Sequence, residues 1–352
     1  MATLSIISPF HDSVGKCEGL LGTLENVSDP QVEIILVDDG SSDDTLALLE
    51  RFRETASTRT LVVAQENRGP GGARNHGLKM ANGDYVWFVD SDDNINLSVI
   101  EEIKMLAKEE YDFIDFNVEE GSRVCNTIGL PPGDYSAGTF EKEDLIDRLG
   151  RVWAKVFRRA FIMNNNIAYP EFCIYEDNPY EFIYPFYVEN FYKSASVGYQ
   201  YNEECVSITR GGDSLRFFDR MYTAVYGFSR TKDMASQRER KRLEEKFVRL
   251  YLFNTVGRQI RGPAGKWLVA ARVMRQYRDV AKEQDIALKP LSVVSGNYKY
   301  KSLFIFLWAF SFLLPCQEGY FHRIRFQAWG RPFVDSQPDE SAAQTHPLNS
   351  HT

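Results

Sequence analysis

The chain has 352 residues, a formal net charge of −8 at pH 7, 43% hydrophobic residues and 26% charged residues. These values describe a globular protein with a full core in one large domain or two, and they argue against a disordered chain or a nucleic-acid-binding protein. Five cysteines without a C-x-x-C pair argue against a disulfide framework or a zinc site and favour a reduced, cytoplasmic compartment. No secretory signal is expected, because a strand-like segment begins by Leu4.

Four short apolar runs in the first 90 residues are typical of strands that are buried on both faces. They are Leu4–Ser8, Val32–Val37, Thr60–Ala64 and Tyr85–Val89. Helix-like stretches alternate with them, at Asp44–Thr55 with its helical spacing of apolar residues and at Gly71–Met80 after a glycine-rich turn. Strands that alternate with helices predict an α/β fold with a mostly parallel central sheet.

Polar or acidic residues follow the carboxyl end of each predicted strand. They are Pro9, Asp38, Asp39, Asn67 and Asp90. In parallel α/β sheets, ligands bind outside these strand ends. The fourth strand is followed by DSDD at 90–93, and neighbouring carboxylates are costly there without a counter-ion. Because Mg²⁺ and Mn²⁺ bind carboxylate oxygens and leave positions for phosphate, the pattern predicts a site for a nucleotide diphosphate and its cation.

The glycine-rich segment NRGPGGARNHG at 67–77 does not match the common nucleotide-binding loops. Arg74 replaces the glycine that G-x-G-x-x-G requires, and the sequence has no G-x-x-x-x-G-K-[ST] loop. A Rossmann dehydrogenase and a P-loop NTPase are therefore disfavoured. The glycines are expected to allow close approach of a substrate, and Arg74 to supply a positive charge for a phosphate.

Five segments in this order resemble glycosyltransferase family 2, particularly its bacterial surface-polysaccharide members. They are SIISPFHD at 5–12, VDDGSSDDT at 37–45, NRGPGGARNHGL at 67–78, ANGDYVWFVDSDD at 81–93 and YEDN at 175–178. The resemblance implies an inverting, metal-dependent enzyme with a GT-A fold and Mn²⁺ or Mg²⁺ as cofactor. It also implies a nucleotide-diphosphate sugar as donor, with UDP the expected nucleotide. The implied acceptor is a hydroxyl of a surface polysaccharide or a lipid-linked saccharide.

The family motifs imply a role for each matching residue. Asp177 is the expected catalytic base, and Glu176 and Lys155 are expected to position the acceptor or its loop. Asp92 and Asp93 are the expected metal ligands, with Asp92 preferred. The donor nucleotide is expected to contact Pro9, Asp38, Asp39, Asn67, Arg74, Asp90 and Ser91.

Structural explanations of the same residues stay open on the sequence alone. The DSDD aspartates could cap a helix that begins near Leu97, and Glu176 and Asp177 could cap the helix that follows them. Lys155 could be a surface lysine or a charge partner in the site. Asn202 replaces an arginine that many relatives have after the Tyr-x-Tyr pattern, which weakens the expectation of a phosphate contact there.

Two other functions are compatible with this fold class. A sugar-nucleotide nucleotidyltransferase would need a glycine-rich loop with Arg or Lys directly after the first strand, and SPFHDSVGKCEG at 8–19 is a poor version of it. A non-catalytic glycan-binding or scaffold protein is the other alternative. The intact DSDD and YEDN motifs argue against it.

The alternation of strands and helices ends near residue 211. Phe217–Thr231, Arg240–Gly257 and Lys266–Tyr277 are typical of helices with basic faces. Residues 216–278 hold 16 basic and 5 acidic side chains, whereas residues 1–120 hold 24 acidic and 9 basic ones. The basic excess predicts either a solvated helical face or attraction to an anionic surface.

The apolar segment Ser302–Pro315 is shorter than the roughly 20 residues that a transmembrane helix needs. It could be a core helix, an interfacial helix or a spanning segment. Basic residues flank it at Lys299, Lys301, His322, Arg323 and Arg325. These flanks favour an interfacial helix, peripheral on the cytoplasmic face of an anionic inner membrane.

Three parts of the chain are therefore expected. Residues 1–210 form a catalytic domain, with a nucleotide-sugar half at 1–117 and an acceptor half at 118–210. Residues 211–332 form a basic helical region that includes the segment 302–315. Residues 333–352 form a disordered tail, because they are rich in Ser, Pro, Gln and His.

Overall fold

The computed structural model of the chain describes residues 2–136, 138–202, 215–261, 266–290 and 301–315. The predicted tail at 333–352 and the segment 203–209 lie outside this range. Ten strands form one sheet: β1 Leu4–Phe10, β2 Val32–Asp39, β3 Arg59–Gln65, β4 Tyr85–Phe88, β5 Asn94–Ile95, β6 Phe113–Glu120, β7 Arg123–Cys125, β8 Gly133–Ser136, β9 Lys155–Arg158 and β10 Asn190–Tyr201.

The sheet has the order β3-β2-β1-β4-β9-β6-β10-β5, with β7 beside β6 and β8 beside β10. Strands β1 to β4 pair in parallel, as the alternating sequence predicts. The pair β6 and β10 is also parallel, while β9 joins the two halves through antiparallel pairs with β4 and β6. The predicted α/β class is confirmed, and each antiparallel pair includes a strand that comes after the four strands of the alternating pattern.

The four predicted strands differ in burial. Every residue of β1 and β2 is buried, whereas β3 is an edge strand whose residues are mostly half-buried. The expectation of burial on both faces is therefore wrong for Thr60–Ala64. The cause is the position of the strand in the sheet: within the described part of the chain β3 pairs only with β2. Nothing in a five-residue apolar run distinguishes an edge strand from a central one.

Twelve α-helices lie in the described residues. They are α1 Glu18–Leu24, α2 Thr45–Thr55, α3 Gly69–Met80, α4 Ile100–Leu106, α5 Lys142–Arg148, α6 Arg159–Asn164, α7 Tyr180–Ile183, α8 Asp219–Thr231, α9 Gln237–Phe247, α10 Asn254–Arg261, α11 Trp267–Glu283 and α12 Lys301–Phe310. A π-helical segment, Val248–Phe253, joins α9 to α10. A capping box formed by Ser236 and Glu239 starts α9.

The side chains of β1 and β2 alternate between two apolar layers. Ile7 and Val37 face a large cluster that includes residues of α3 and of the C-terminal helices. Ile6 and Leu36 face a second cluster with residues of α1 and α2. The helical region at 215–313 therefore shares its core with one face of the sheet, so its position relative to the strand ends is fixed by packing.

The last described helix is only partly buried. Phe304 and Leu307 pack into the core, whereas Phe306, Phe312 and Leu313 are 62%, 63% and 79% exposed. A 3₁₀ turn, Ser311–Leu313, follows α12. Among the described residues, no helix combines the length and apolar character that crossing a membrane requires.

Candidate active site

A cleft of about 380 Å³ opens at the carboxyl ends of β1 to β4. Its walls are formed by Pro9, Phe10, His11, Ser13, Lys16, Asp39, Asn67, Gly69, Pro70, Arg74, Asp90, Ser91, Asp92, Asp93, Trp153, Ile174, Tyr175, Glu176, Asp177, Asn178, Tyr201, Asn202 and Arg216. Ten of the twelve residues selected from the sequence are among them. The two exceptions are Asp38 and Lys155.

One end of the cleft is built on the carboxyl ends of β1, β2 and β3. The carboxylate of Asp39 accepts hydrogen bonds from Gln65 Nε2 at 2.7 Å and from the Arg68 amide at 2.8 Å. Burial raises the pKa of Asp39. His11 Nδ1 lies 2.9 Å from the Asp39 carbonyl oxygen, and Asn67 Nδ2 lies 3.1 Å from His11 Nε2. A ring of fixed polar groups of this kind can read a nucleotide base.

Asp38 stands behind this end of the cleft. It is 3% exposed, and its Oδ2 accepts a hydrogen bond from the Ser41 amide at 3.3 Å. Its other oxygen is buried without a hydrogen bond among the described residues. Asp38 thus shapes the turn after β2 from outside the cleft, and a direct nucleotide contact from it stays a prediction.

Arg74 links the two halves of the cleft. Its guanidinium pairs with Asp90, at the end of β4, and with Glu176, in the loop before α7. Burial disfavours the charge, but the two carboxylates hold the pKa of Arg74 above its ordinary value. Arg74 also lies over the Tyr169 ring, 5.3 Å from its centroid. It therefore ties the loop to the sheet, with one guanidinium nitrogen paired to each of the two carboxylates.

Two glycines near Arg74 bring protein segments close together, whereas Gly69 lines the cleft, so the expectation that these glycines make room for a substrate is wrong for Gly71 and stays a prediction for Gly69. A Cβ on Gly71 would lie 2.2 Å from the Pro170 carbonyl oxygen and 3.2 Å from Glu176 Cβ. A Cβ on Gly77 would lie 2.3 Å from Ile7. The two glycines let α3 pack against β1 and against the loop that carries Glu176.

The DSDD motif presents its carboxylates at the end of β4. Asp93 accepts hydrogen bonds from the Tyr199 hydroxyl at 2.7 Å and from the Asn202 amide at 2.9 Å. Burial and the nearby Asp90 raise the pKa of Asp93 to about 8. The helix cap that the sequence left possible for this motif is formed by Asn96, whose side chain accepts from the Ser98 amide.

The carboxylate oxygens of this motif suit a hard divalent cation whose other coordination positions are filled by a bound phosphate and water. Among the described residues, no three His, Cys, Asp or Glu side chains form a complete metal-binding group. Mg²⁺ and Mn²⁺ need only one or two carboxylates when phosphate oxygens and water complete the shell. Asp92 and Asp93 line the cleft and provide such oxygens.

Asp177 lines the same cleft as DSDD and belongs to the loop between α6 and α7. Tyr175 has a φ of 64°, a left-handed conformation that is costly for a tyrosine and turns the chain beside Glu176 and Asp177. Among the described residues no hydrogen-bond donor contacts the Asp177 carboxylate, which is half-buried and faces the cleft. Burial and the neighbouring Glu176 raise the pKa of Asp177 to about 7. The residue directly before α7 is Pro179, and its side chain forms no cap. Glu176 and Asp177 therefore do not cap this helix.

Helix α8 holds this loop in place. Asp219 Oδ2 accepts a hydrogen bond from the Ile174 amide at 3.0 Å, and the Tyr226 hydroxyl donates to the Ala168 carbonyl at 3.0 Å. Gly227 approaches α7, which follows the loop, so closely that a Cβ there would lie 2.7 Å from the Phe182 ring. The helical region thus fixes the position of Asp177.

Lys155 is a fully buried charge away from the cleft, so the option of a surface lysine is wrong. Its Nζ lies 2.8 Å from Asp115 Oδ1 and donates to the Gly150 carbonyl at 3.0 Å. Lys193 Nζ lies 3.1 Å from the other Asp115 oxygen, and burial lowers the pKa of Lys193. The three side chains form a buried ionic triad beneath β6, β9 and β10.

Two aromatic residues that line the cleft, and one buried tyrosine that orders its acidic residues, are not among those selected from the sequence. Trp153 and Tyr201 stack with ring centroids 5.6 Å apart and form an aromatic wall. Tyr199 orders both Asp93 and the Asp90 amide. Tyr199 and Tyr201 belong to a Tyr-x-Tyr pattern at the end of a strand, but which side chains of a strand meet the cleft depends on sheet register.

The chain is similar in sequence to one protein family and to curated relatives, two of which are described here. The profile of glycosyl transferase family 2 matches residues 5–162. The poly(ribitol-phosphate) beta-N-acetylglucosaminyltransferase TarS of Staphylococcus aureus is 30% identical over 175 residues, which are 49% of the chain and 30% of that protein. A cholesterol galactosyltransferase of Borreliella burgdorferi is 23% identical over 332 residues, or 86% of the chain and 88% of that protein. The chain thus spans under a third of the length of TarS.

The fold is shared with a solved structure over nearly the whole chain. The crystal structure of S. aureus TarS 1–349 in complex with UDP-GlcNAc has a TM-score of 0.64 and 19% identity, with 96% of the chain and 98% of the TarS fragment covered. The predicted GT-A fold is therefore confirmed. The resemblance to glycosyltransferase family 2 that the sequence motifs indicate is therefore confirmed over residues 5–162.

Proposed function

We propose that the protein is a metal-dependent, inverting glycosyltransferase that transfers a sugar from a nucleotide diphosphate, UDP being the expected one. The observation that carries this proposal is the arrangement of the cleft. A carboxylate with a raised pKa, Asp177, lines the same cleft as the DSDD motif and the polar groups around Asp39. The TarS structure, which contains UDP-GlcNAc, supports the choice of UDP.

The donor is proposed to lie along the strand ends. Its base would contact the surroundings of Asp39 and Asn67, and its diphosphate would lie near Asp92 and Asp93 with the cation. When bound, Mg²⁺ or Mn²⁺ supplies positive charge that stabilises the departing diphosphate. Arg74 would keep Asp90 and the acceptor loop aligned with this end.

Asp177 is proposed to be the general base. Its carboxylate takes the proton from an acceptor hydroxyl while that oxygen forms a bond to the anomeric carbon. The bond from the anomeric carbon to the diphosphate oxygen breaks, and the nucleoside diphosphate leaves with the electron pair. Attack from the face opposite the leaving group inverts the configuration. Glu176, which is held by Arg74, would position the loop during this step.

The acceptor is proposed to be a surface glycan or a lipid-linked saccharide. The two relatives described above are named for poly(ribitol phosphate) and for cholesterol. Their names thus include one polymer and one lipid. The stacked Trp153 and Tyr201 rings on the acceptor side suit a sugar face.

The transfer rate is expected to rise with pH and to level off above pH 7. A general base works only when ionised, and the pKa of Asp177 is raised to about 7. Below that value each pH unit lowers the ionised fraction about tenfold. Initial transfer rates at saturating donor between pH 5 and 9 measure this profile. A flat profile between pH 5 and 7 would contradict Asp177 as the base.

UDP binding is expected to require the divalent cation and Asp92. The Asp92→Ala variant removes a hard oxygen ligand, and loss of a ligand typically lowers metal-dependent affinity by about tenfold or more. Calorimetric titration of UDP with Mg²⁺, Mn²⁺ or excess chelator measures the effect. Asp84→Ala is the matched control, because Asp84 is an exposed aspartate at the other end of β4. Equal UDP affinity with and without the cation would overturn the metal dependence.

We also propose that the exposed apolar side chains of α12 and its 3₁₀ turn dock on an anionic membrane. Phe306, Phe312 and Leu313 are exposed, and the guanidinium of Arg278 lies 3.6 Å from the Phe312 ring centroid. Cations beside exposed aromatic side chains suit a bilayer with anionic headgroups. Such an anchor would bring lipid-linked acceptors to the cleft.

The Phe306→Ser/Leu313→Ser variant is expected to bind anionic vesicles at least about tenfold more weakly, because each buried apolar side chain contributes about 1.5–3 kcal/mol. Co-sedimentation with phosphatidylglycerol vesicles measures the binding. Met105→Ser, an exposed apolar residue of α4, is the control. Unchanged binding by the double variant would exclude this docking surface.

A further inference from the structure

Arg68 lies between the Asp39 end of the cleft and the loop that carries Asp177. It directly precedes α3, and its chain neighbours Asn67 and Gly69 both line the cleft. The Arg68 amide donates a hydrogen bond to Asp39 Oδ1 at 2.8 Å. The backbone of Arg68 is therefore fixed on the side of the cleft that is built on the first three strands.

The other groups of Arg68 contact the loop between α6 and α7. Its carbonyl oxygen accepts a hydrogen bond from the Phe172 amide, and its guanidinium pairs with the Glu171 carboxylate. The Glu171 side chain is 8% exposed, whereas that of Arg68 is 44% exposed. A carboxylate that is so far buried depends on a partner of opposite charge, because water solvates it poorly. Backbone and side-chain contacts thus tie the loop to the start of α3.

Asn75 strengthens this connection about two helical turns further along α3. Its side-chain amide donates to the Tyr169 carbonyl at 2.8 Å and to Glu171 Oε1 at 3.2 Å. Its side-chain oxygen accepts from the Tyr169 amide at 2.8 Å. One buried side chain therefore holds both the loop backbone and the carboxylate that pairs with Arg68.

The loop has a backbone conformation that needs such contacts. Phe172 has a φ of 53° and Tyr175 a φ of 64°, and this left-handed conformation is costly for aromatic residues. Residues of this kind keep their conformation only where the surrounding structure fixes them. Glu171 and Phe172, which contact Arg68, shortly precede Asp177 in the same loop. A change in the position of Arg68 therefore alters the stability of the backbone that positions Asp177.

We infer that the Arg68–Glu171 pair couples donor binding to the position of Asp177, so that both members of the pair are positioning residues for the transfer. A nucleotide base beside Asp39 restrains the Arg68 backbone, and the pair transmits this restraint to the loop. This coupling is separate from the contacts that Arg74 makes at the DSDD end. The inference rests on the proposed transferase function and on the place proposed for the base.

Amide hydrogen exchange of the full chain, with and without saturating UDP and Mg²⁺, tests this coupling. The Phe172 amide is a direct probe, because it donates to the Arg68 carbonyl. In the wild type we expect UDP to slow exchange in residues 169–177 about fivefold or more, the low end of typical coupling between sites. Arg68→Gln and Glu171→Gln should each remove most of this slowing. Both variants keep the Arg68 amide, so UDP should still bind to them in calorimetric titrations.

The matched control is Arg158→Gln, which breaks another pair between a half-buried arginine and a buried carboxylate, that of Asp112. Arg158 pairs with Tyr85 at the end of β4 opposite to DSDD, so UDP should slow exchange in the loop of this variant as in the wild type. The double variant Arg68→Gln/Glu171→Gln should lose no more slowing than either single variant, because both changes remove the same pair.

Slowing by UDP that survives in Arg68→Gln and Glu171→Gln would overturn the inference, because UDP would then protect the loop by direct contact. A wild type that binds UDP without any slowing, or wild-type turnover in both variants, would also overturn it and leave the proposed transferase standing. A wild-type chain that binds no UDP would overturn the proposed donor together with the inference. If Glu171→Gln does not fold, Arg68→Gln carries the test alone.

Discussion

Asp177→Asn is expected to lower the rate of sugar transfer by about 10²–10⁴-fold, the usual contribution of a general base. The amide has nearly the shape of the carboxylate but cannot accept the proton of the acceptor hydroxyl. Among the described residues no hydrogen-bond donor contacts the Asp177 carboxylate, so the fold should lose nothing by the change. Initial rates at saturating donor, together with thermal unfolding of the same sample, measure both effects.

The matched control for this variant is Asp84→Asn, an exposed aspartate outside the cleft. UDP affinity should be the same in the wild type and in Asp177→Asn, because the base is proposed to act on the acceptor. A folded Asp177→Asn protein that transfers sugar at more than a tenth of the wild-type rate would exclude Asp177 as the base.

Asp115→Asn is expected to lower the free energy of unfolding by about 3–5 kcal/mol, the cost of breaking a buried ion pair. The variant leaves the ammonium groups of Lys155 and Lys193 buried without the carboxylate that lies 2.8 and 3.1 Å from them. Such a loss is a large part of the 5–15 kcal/mol that stabilises a typical domain. Urea unfolding followed by circular dichroism measures the difference.

Lys155→Met should cost less than Asp115→Asn, because Asp115 and Lys193 then remain as a neutral pair. Its transfer rate per folded molecule should equal that of the wild type, since Lys155 lies outside the cleft. Lys79→Met, which changes an exposed lysine of α3, serves as the control. Normal stability with impaired transfer in Lys155→Met would instead support the acceptor-positioning role that the sequence suggested.

The strand ends and their acidic residues could be predicted because they depend on local sequence. Buried parallel strands appear as apolar runs, and the residue that follows each run must lie at the same edge of the sheet. Asp39, Asn67 and Asp90 were located in this way, and all three line the cleft. The helix at Thr45–Thr55 was equally visible from its spacing of apolar side chains.

Contacts between distant segments could not be predicted in this way. Arg74 pairs with Glu176, 102 positions further along the chain, and Gly71 accommodates the Pro170 carbonyl rather than a ligand. Lys155 belongs to a triad whose members come from three strands, so its burial depends on the topology of the second half of the sheet.

The most direct test of the central claim is a donor screen. Purified protein is incubated with Mn²⁺ or Mg²⁺ and UDP-, GDP- or dTDP-linked sugars in the presence of glycan and lipid-linked saccharide acceptors, and nucleotide release and glycosylated product are measured. We predict metal-dependent transfer from a UDP-sugar that chelator abolishes and that Asp177→Asn reduces at least about a hundredfold. Transfer that neither chelator nor Asp177→Asn reduces would contradict the proposed metal-dependent mechanism. A chain that transfers no sugar and binds none of the three nucleotides would contradict the transferase function itself.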